Sequence, residues 1–216
     1  KDHKNILNEY LTKYYDYIFV HGEENFYSIS ENLNLDKLNK AKLFYTGYVS
    51  EEFDNNKTKL KKNQILVSAG GGAVGEKIIL NSIKAAMKFD NNNFIWRIII
   101  GLNESKDNIN EYINLVKKSR RNIIIQEFTG DFKKLLNESL LSISQGGYNT
   151  FVEIVASGIK SIIVPYAEDK KGDQLIRSKT FSSLNLVKYI NEKELDESIL
   201  LDNIMELLSQ KYIKKK

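Results

Sequence analysis

The sequence predicts an α/β protein built on a doubly wound parallel sheet, and three observations carry that expectation. From about residue 60 onward, short β-branched runs alternate with amphipathic stretches of helical length, the order that yields right-handed βαβ units. The run Ile95 to Ile100 is nearly all apolar, as suits a strand covered on both faces. A glycine-rich turn, Ser68 to Gly75, separates the first strand of the series from the helix after it, where such sheets bind ligands.

Each element follows from the pattern. Residues 1 to about 48 read as a helix and two strands, the strands being Tyr17 to Val20 and Leu43 to Tyr45. The polar, Lys- and Asn-rich stretch from Glu51 to Asn63 reads as a linker. Ile65 to Ser68 is a strand, and Glu76 to Phe89 a helix with Ile79, Ile83 and Met87 on one face. After the strand Ile95 to Ile100, Asn108 to Ser119 is helical, with Ile109, Tyr112, Ile113 and Val116 at helical spacing. Ile123 to Ile125 is the next strand and Asp131 to Glu138 a short helix. Leu140 to Ser144 is a strand, and Thr150 to Ser157 a helix closed by Gly158 as its C′ residue. Ser161 to Val164 is a strand stopped by the sole proline, Pro165. Helix Gln174 to Leu184, strand Leu186 to Ile190 and helix Leu195 to Ser209 complete the series.

Composition narrows the chemistry. The 216 residues suit one large domain or one and a half small ones, and 42% hydrophobic content fits a globular core. With no Cys and two His, disulfides, thiol nucleophiles, Cys-based zinc sites and histidine metal clusters are excluded or starved of ligands. No apolar run reaches the roughly 20 residues a bilayer span needs, and no signal peptide opens the sequence, so a cytoplasmic protein is expected. The net charge of +4 is spread along the chain and lacks the basic stripe of a nucleic-acid binder. The tail lysines Lys211, Lys214, Lys215 and Lys216 either fray in solvent or touch acidic lipid head groups.

Two glycine loops point to phosphate. Gly70, Gly72 and Gly75 satisfy G-x-G-x-x-G in a strand–loop–helix setting, where glycines admit a phosphate to the backbone and the helix N-terminus offers N–H groups. An NAD site would want an acid at the end of the second strand, but that strand ends Gly101-Leu102-Asn103, with Glu104 late. In the second loop, a strand runs into Gly146-Gly147, then Thr150 and Glu153. Thr150 with Glu153 reads either as a capping box or as a phosphate and ribose contact, since a carboxylate accepts from two vicinal hydroxyls. Asp173-Gln174 at a later helix start reads as a plain N-cap or as a reader of sugar hydroxyls.

Taken in order, Gln126-Glu127-Phe128-Thr129-Gly130-Asp131, Gly146-Gly147-x-x-Thr150-x-x-Glu153, Gly158, Val164-Pro165 and Asp173-Gln174 resemble the C-terminal half of GT-B glycosyltransferases. The likeness is to the family 28 C-terminal domain, in the branch that includes the bacterial lipid II N-acetylglucosaminyltransferase, and it covers about residues 60 to 195. It implies a Rossmann-like donor domain at 64–216, a linker at 51–63, and at 1–50 the trailing remnant of an acceptor-binding N-terminal domain. It implies inverting hexosyl transfer from a nucleotide-sugar, a UDP-sugar by family habit, to an acceptor hydroxyl, with no metal or cofactor. No Asp-x-Asp triplet is present to hold one.

Carried over by position, Gly70, Gly71 and Gly72 face the diphosphate, and Phe128 and Thr129 read the base edge through their backbone. Gly146, Gly147 and Thr150 line the phosphates, Glu153 holds the ribose, and Asp173 with Gln174 holds the donor sugar. Three departures stand out. A basic residue often found by the second loop is Gln145 here, and the usual Gly-Asn-Pro is only loosely matched by Thr46-Gly47-Tyr48. Most of the acceptor domain, with the usual base, has no counterpart, so the catalytic group is unknown; His21 is the one candidate. Four functional readings follow: a donor-binding glycosyltransferase region, a non-catalytic nucleotide-sugar subunit needing a partner for its acceptor site, an NAD-dependent oxidoreductase, or a sugar-nucleotide 2-epimerase, which would need acid and base residues from the missing half. The expected location is cytoplasmic, with peripheral contact at the inner face of the membrane left open.

Overall fold

Within each of two sheets the β-branched runs pair side by side and run parallel. The computed structural model describes residues 3–26, 28, 42–50, 63–70, 75–166 and 172–210. Its contacts divide the chain into two compact units, Lys1–Glu51 and Glu52–Lys216.

The first unit holds helix α1 (His3–Tyr14) and strands β1 (Ile18–Val20) and β2 (Leu43–Tyr45). The two strands run parallel, with Ile18 opposite Leu43. One face of this pair carries Phe19 and Phe44, both exposed, whose rings stack 5.7 Å apart.

The second unit contains β3 (Gln64–Ser68), α2 (Glu76–Lys88), β4 (Ile95–Ile99), α3 (Lys106–Lys117), β5 (Asn122–Gln126) and α4 (Phe132–Asn137). It continues with β6 (Leu141–Gln145), α5 (Tyr148–Ser157), β7 (Lys160–Val164), α6 (Asp173–Ser183), β8 (Lys188–Tyr189) and α7 (Glu197–Ser209). The six strands form one parallel sheet in the order β5-β4-β3-β6-β7-β8. Strand order therefore reverses between β3 and β6, the switch point of a doubly wound Rossmann-like sheet.

Strand periodicity sorts the side chains. Ile65, Val67, Trp96, Ile98, Leu141, Ile143, Ile162 and Val164 belong to one buried cluster with Ile79 and Ile83 of α2, Tyr112 of α3, and Leu200 and Ile204 of α7. The buried residues of α4, α5 and α6, such as Leu136, Phe151 and Phe181, lie outside that cluster and cover the other face. There Phe151 and Phe181 meet edge to face at 4.9 Å, joining α5 to α6.

Most predicted elements stand within a residue or two. Gly158 closes α5 in the left-handed conformation, φ 64°, as expected of a C′ glycine. Two local readings need correction. Helix α5 begins at Tyr148 rather than at Thr150, because Gly147 caps it and its carbonyl accepts from the Phe151 amide at 2.9 Å. Thr150 thus sits inside the first turn and Glu153 in the second, and the Thr150–Glu153 capping box does not form. Helix α6 starts one residue early, with Gly172 as its cap, so Asp173 is the first helical residue rather than an N-cap. The linker at residues 51–62 and the tail lysines lie outside the described residues. Among the described residues, no helix is long and apolar enough to cross a membrane.

Candidate functional site

In a parallel sheet every strand delivers its following loop to the same edge, and here that edge gathers the predicted residues. Gly70 follows β3 and Gly146-Gly147 follow β6, one on each side of the switch point. The strands behind them are paired through Ser68 and Ser144. Gly70 has φ +76°, a left-handed value that favours glycine, and a Cβ there would stand 3.5 Å from Gln145 Oε1. Gly71 and Gly72 lie outside the described residues. Gly75 has a different reason for being glycine. A Cβ on it would come within 2.4 Å of the Ala69 Cβ, so close packing of helix on strand forbids a side chain.

The second loop is held from α6. A Cβ on Gly146 would meet Gln174 and Ile163 at 3.4 Å. Gln174 Oε1 accepts from the Tyr166 amide at 3.2 Å, which anchors the end of β7 to the start of α6. Asp173 is exposed, and its Oδ2 accepts from Arg177 Nη1 at 2.9 Å. Thr150 and Glu153 lie half-buried on α5 behind the loop. Gly146 thus packs against Gln174 and shares Arg177 with Asp173, Gly70 lies beside Gln145, and Thr150 and Glu153 sit on the helix that Gly147 opens.

Phe128 and Thr129 follow β5, two strands from the switch point on the same edge. Phe128 is 60% exposed, so an apolar ring stands open to a planar ligand. Its carbonyl accepts from Gln126 Nε2 at 2.8 Å. Thr129 Oγ1 accepts from the Asp131 amide at 3.0 Å and pins the turn into α4.

Two arginines that sequence reasoning passed over organise this edge. Arg97 sits in mid-strand on β4 and donates through Nε to Gln64 Oε1 at 3.0 Å and through Nη1 to Gln126 Oε1 at 3.1 Å. Gln64 in turn donates to Ser139 Oγ at 2.8 Å. A chain of side-chain hydrogen bonds therefore crosses the sheet and ends on the Phe128 carbonyl. An arginine inside an otherwise apolar strand was the available signal. Arg177 is the second: it is 6% exposed and contacts both Asp173 and the Gly146 carbonyl. Its spacing of four from Asp173 was the signal.

Other candidates fall elsewhere. Glu104 accepts from the Ser105 amide and from Asn108 Nδ2 at the start of α3, employment that suits a helix start better than a ribose. His21 belongs to the first unit, where Nδ1 lies 2.7 Å from Thr46 Oγ1. A cleft of about 480 Å³ lies at the opposite edge of the sheet, by Ile159, Lys160, Asn185 and Lys188. Its lysines are already engaged, Lys160 with the Leu207 and Gln210 carbonyls and Lys188 with Asn203 and Glu206.

With this geometry in view, comparison with known proteins is informative. Residues 64–216 match the glycosyltransferase family 28 C-terminal domain. The UDP-N-acetylglucosamine--N-acetylmuramyl-(pentapeptide) pyrophosphoryl-undecaprenol N-acetylglucosamine transferase of Finegoldia magna is 27% identical over 209 residues, covering 94% of this chain and 55% of that protein. The enzyme of the same name from Clostridium tetani is 28% identical over 193 residues, covering 85% of this chain and 52% of the relative. The chain thus spans about half the length of the curated relatives it matches. In structure it is similar to MurG of Acinetobacter baumannii, with a TM-score of 0.63 at 15% identity over 94% of this chain and 55% of that one. That likeness gives the fold, the C-terminal domain of the GT-B architecture.

Proposed function

The chain belongs to glycosyltransferase family 28 through that family's C-terminal domain, and on that premise we propose that it binds a UDP-sugar as the donor half of a hexosyltransferase. The observation that carries the reading is the pair of glycine loops flanking the β3–β6 switch point. The names of the relatives, which specify UDP-N-acetylglucosamine, favour that donor.

In this reading the diphosphate lies against the amides of Gly70 to Gly72, Gly146 and Gly147, near Thr150 and the N-terminus of α5. Backbone amides and helix N-termini suit an anion without a metal. The uracil edge meets the backbone at Phe128 and Thr129. Glu153 accepts from the ribose hydroxyls as a charge-assisted acceptor. Asp173 takes a sugar hydroxyl. Gln174, whose oxygen is committed to Tyr166, meets the sugar as a donor through Nε2.

Transfer forms a bond from an acceptor oxygen to the anomeric carbon and breaks the bond from that carbon to the diphosphate. The electron pair leaves with UDP, whose growing charge the loop amides stabilise. The acceptor proton goes to a base outside this donor site, on the face opposite the leaving group, and the configuration inverts. The unit Lys1–Glu51 is the trailing edge of an acceptor-binding half. Transfer therefore needs the complementary half, in the same polypeptide or as a partner subunit. The undecaprenol-linked acceptors named for the relatives favour a reaction at the inner face of a membrane, by peripheral contact.

Calorimetric titration with UDP, UDP-N-acetylglucosamine, a GDP-sugar and NAD tests the reading. UDP compounds should bind and NAD should not; the reverse order would replace a transferase with an oxidoreductase. Glu153→Ala should weaken UDP binding by about 1–3 kcal/mol, the scale of a lost hydrogen bond to a charged group. Unchanged UDP affinity in that variant would remove Glu153 from the ribose site.

A further inference from the structure

We propose that Arg177 is the positioning residue of the donor site: a buried cation that sets the second glycine loop and the sugar-reading carboxylate together. The inference rests on the donor-site reading above and adds a residue to it.

Arginine is almost never this buried unless it is paired. Arg177 is 6% exposed and spends its two terminal nitrogens on two different parts of the site. Nη1 donates to Asp173 Oδ2 at 2.9 Å, and Nη2 donates to the Gly146 carbonyl at 2.8 Å. The guanidinium carbon also lies 5.5 Å from the Tyr148 ring centroid and 5.2 Å from that of Phe151, within cation–π range. A planar fork packed near two rings holds its two acceptors at a fixed separation and angle, which a flexible ammonium does not do.

The consequence for the ligand lies in the peptide plane. The Gly146 carbonyl and the Gly147 N–H share one trans peptide and point in opposite directions. By drawing that carbonyl inward, Arg177 turns the Gly147 amide away from itself. The same cation fixes one oxygen of Asp173 and leaves the exposed side of the carboxylate to a hydroxyl. Diphosphate amide and sugar carboxylate are thereby referenced to a single rigid group, 31 residues from one partner and four from the other.

The test compares UDP with UDP-N-acetylglucosamine on the wild-type chain and on Arg177→Lys, Arg177→Met, Asp173→Asn and the double variant Arg177→Met/Asp173→Asn. Titrations are run at a temperature where circular dichroism shows each variant folded. The quantity read is the factor by which the sugar improves affinity over UDP alone. Arg177→Met should reduce that factor about tenfold, and in the double variant Asp173→Asn should add little further loss, as for residues acting through one contact. Arg177→Lys should recover thermal stability yet leave the factor low, because the charge returns without the fork. A residue that only stabilised the fold would lower the melting temperature and leave the factor unchanged, and that result overturns the proposal. If Arg177→Met does not fold, Arg177→Lys decides by the same factor. If the wild-type chain binds neither ligand, the donor-site reading itself falls and this inference falls with it.

Discussion

On one face of the six-stranded sheet stand Ile65, Val67, Trp96, Ile98, Leu141 and Ile143, all buried in a single cluster. On the other stand Gln64, Ser68, Arg97, Gln126, Ser142 and Ser144. The same strands supply both rows, one residue out of step. The first face is apolar apart from the Trp96 indole N–H and gains by the area it removes from water, roughly 1.5–3 kcal/mol for each large side chain buried. The second must satisfy every polar group it hides. Most are met by Ser142 Oγ 3.1 Å from Ser144 Oγ and by the relay from Ser139 through Gln64, Arg97 and Gln126 to the Phe128 carbonyl, while the buried Ser161 Oγ has no hydrogen-bond partner. Directional bonds of this kind add little net stability, but they fix orientation. The first face thus contributes burial alone, while the second combines buried Leu66, Ile99 and Ile163 with the oriented polar groups that the proposed site draws on.

The widest separation should come from Trp96, 1% exposed and packed against Phe89 at 5.7 Å. Trp96→Ala should cost about 3–5 kcal/mol in denaturant unfolding, while UDP affinity, measured where the variant is folded, stays within twofold. A tenfold loss of affinity there would mean the apolar face also sets the site. Arg97→Met should behave in the opposite sense. Its stability cost should be about 1–3 kcal/mol, with UDP binding weakened about fivefold through the freed Gln126 and Phe128. A melting curve that shifts while UDP titrations coincide with wild type would reduce the relay to scaffolding.

The smallest effect belongs to the outer surface above the apolar face. Lys88 at the end of α2 lies 2.9 Å from Glu197 at the start of α7. The hydrogen bond from Lys88, helped by Glu197's own backbone amide, holds the Glu197 carboxyl below its ordinary value. A carboxyl that is more acidic in the folded chain stabilises it at neutral pH, and that contribution is lost as pH falls through and below the normal carboxylate range. Because Lys88 is exposed and Glu197 only half-buried at the surface, it should amount to only about 0.2–0.5 kcal/mol and fade with salt. Lys88→Met should flatten the stability profile between pH 6 and 3 by about that much; a larger change would show that surface charge contributes to the contrast between the faces.

What the sequence disclosed follows from how local each signal is. The glycine loops were legible because their chemistry is written in consecutive residues, and the doubly wound parallel sheet followed from alternation and crossover handedness, though not its strand order. The start of α5 was missed because Thr150 and Glu153 match a capping pattern that Gly147, just before the first helical residue Tyr148, pre-empts by its own conformation. Arg97 and its partners Gln64 and Gln126 are 33 and 29 residues apart, so no periodicity links them. Only the oddity of a charge within Ile95–Ile99 marked them. Arg177 carried a visible pairing with Asp173, yet its second partner, the Gly146 carbonyl, belongs to the backbone and leaves no trace in side-chain pattern.

The near-collision that makes Gly75 a glycine has a further consequence. Ala69 and Gly75 approach so closely that the first glycine loop leaves β3 and enters α2 through a single narrow neck. A loop whose ends already meet imposes almost no new closure cost when its contents change. The junction of strand and helix is therefore set by the two small residues at the neck rather than by what the loop between them carries. Such a neck separates what the sheet's edge holds from the core beneath it.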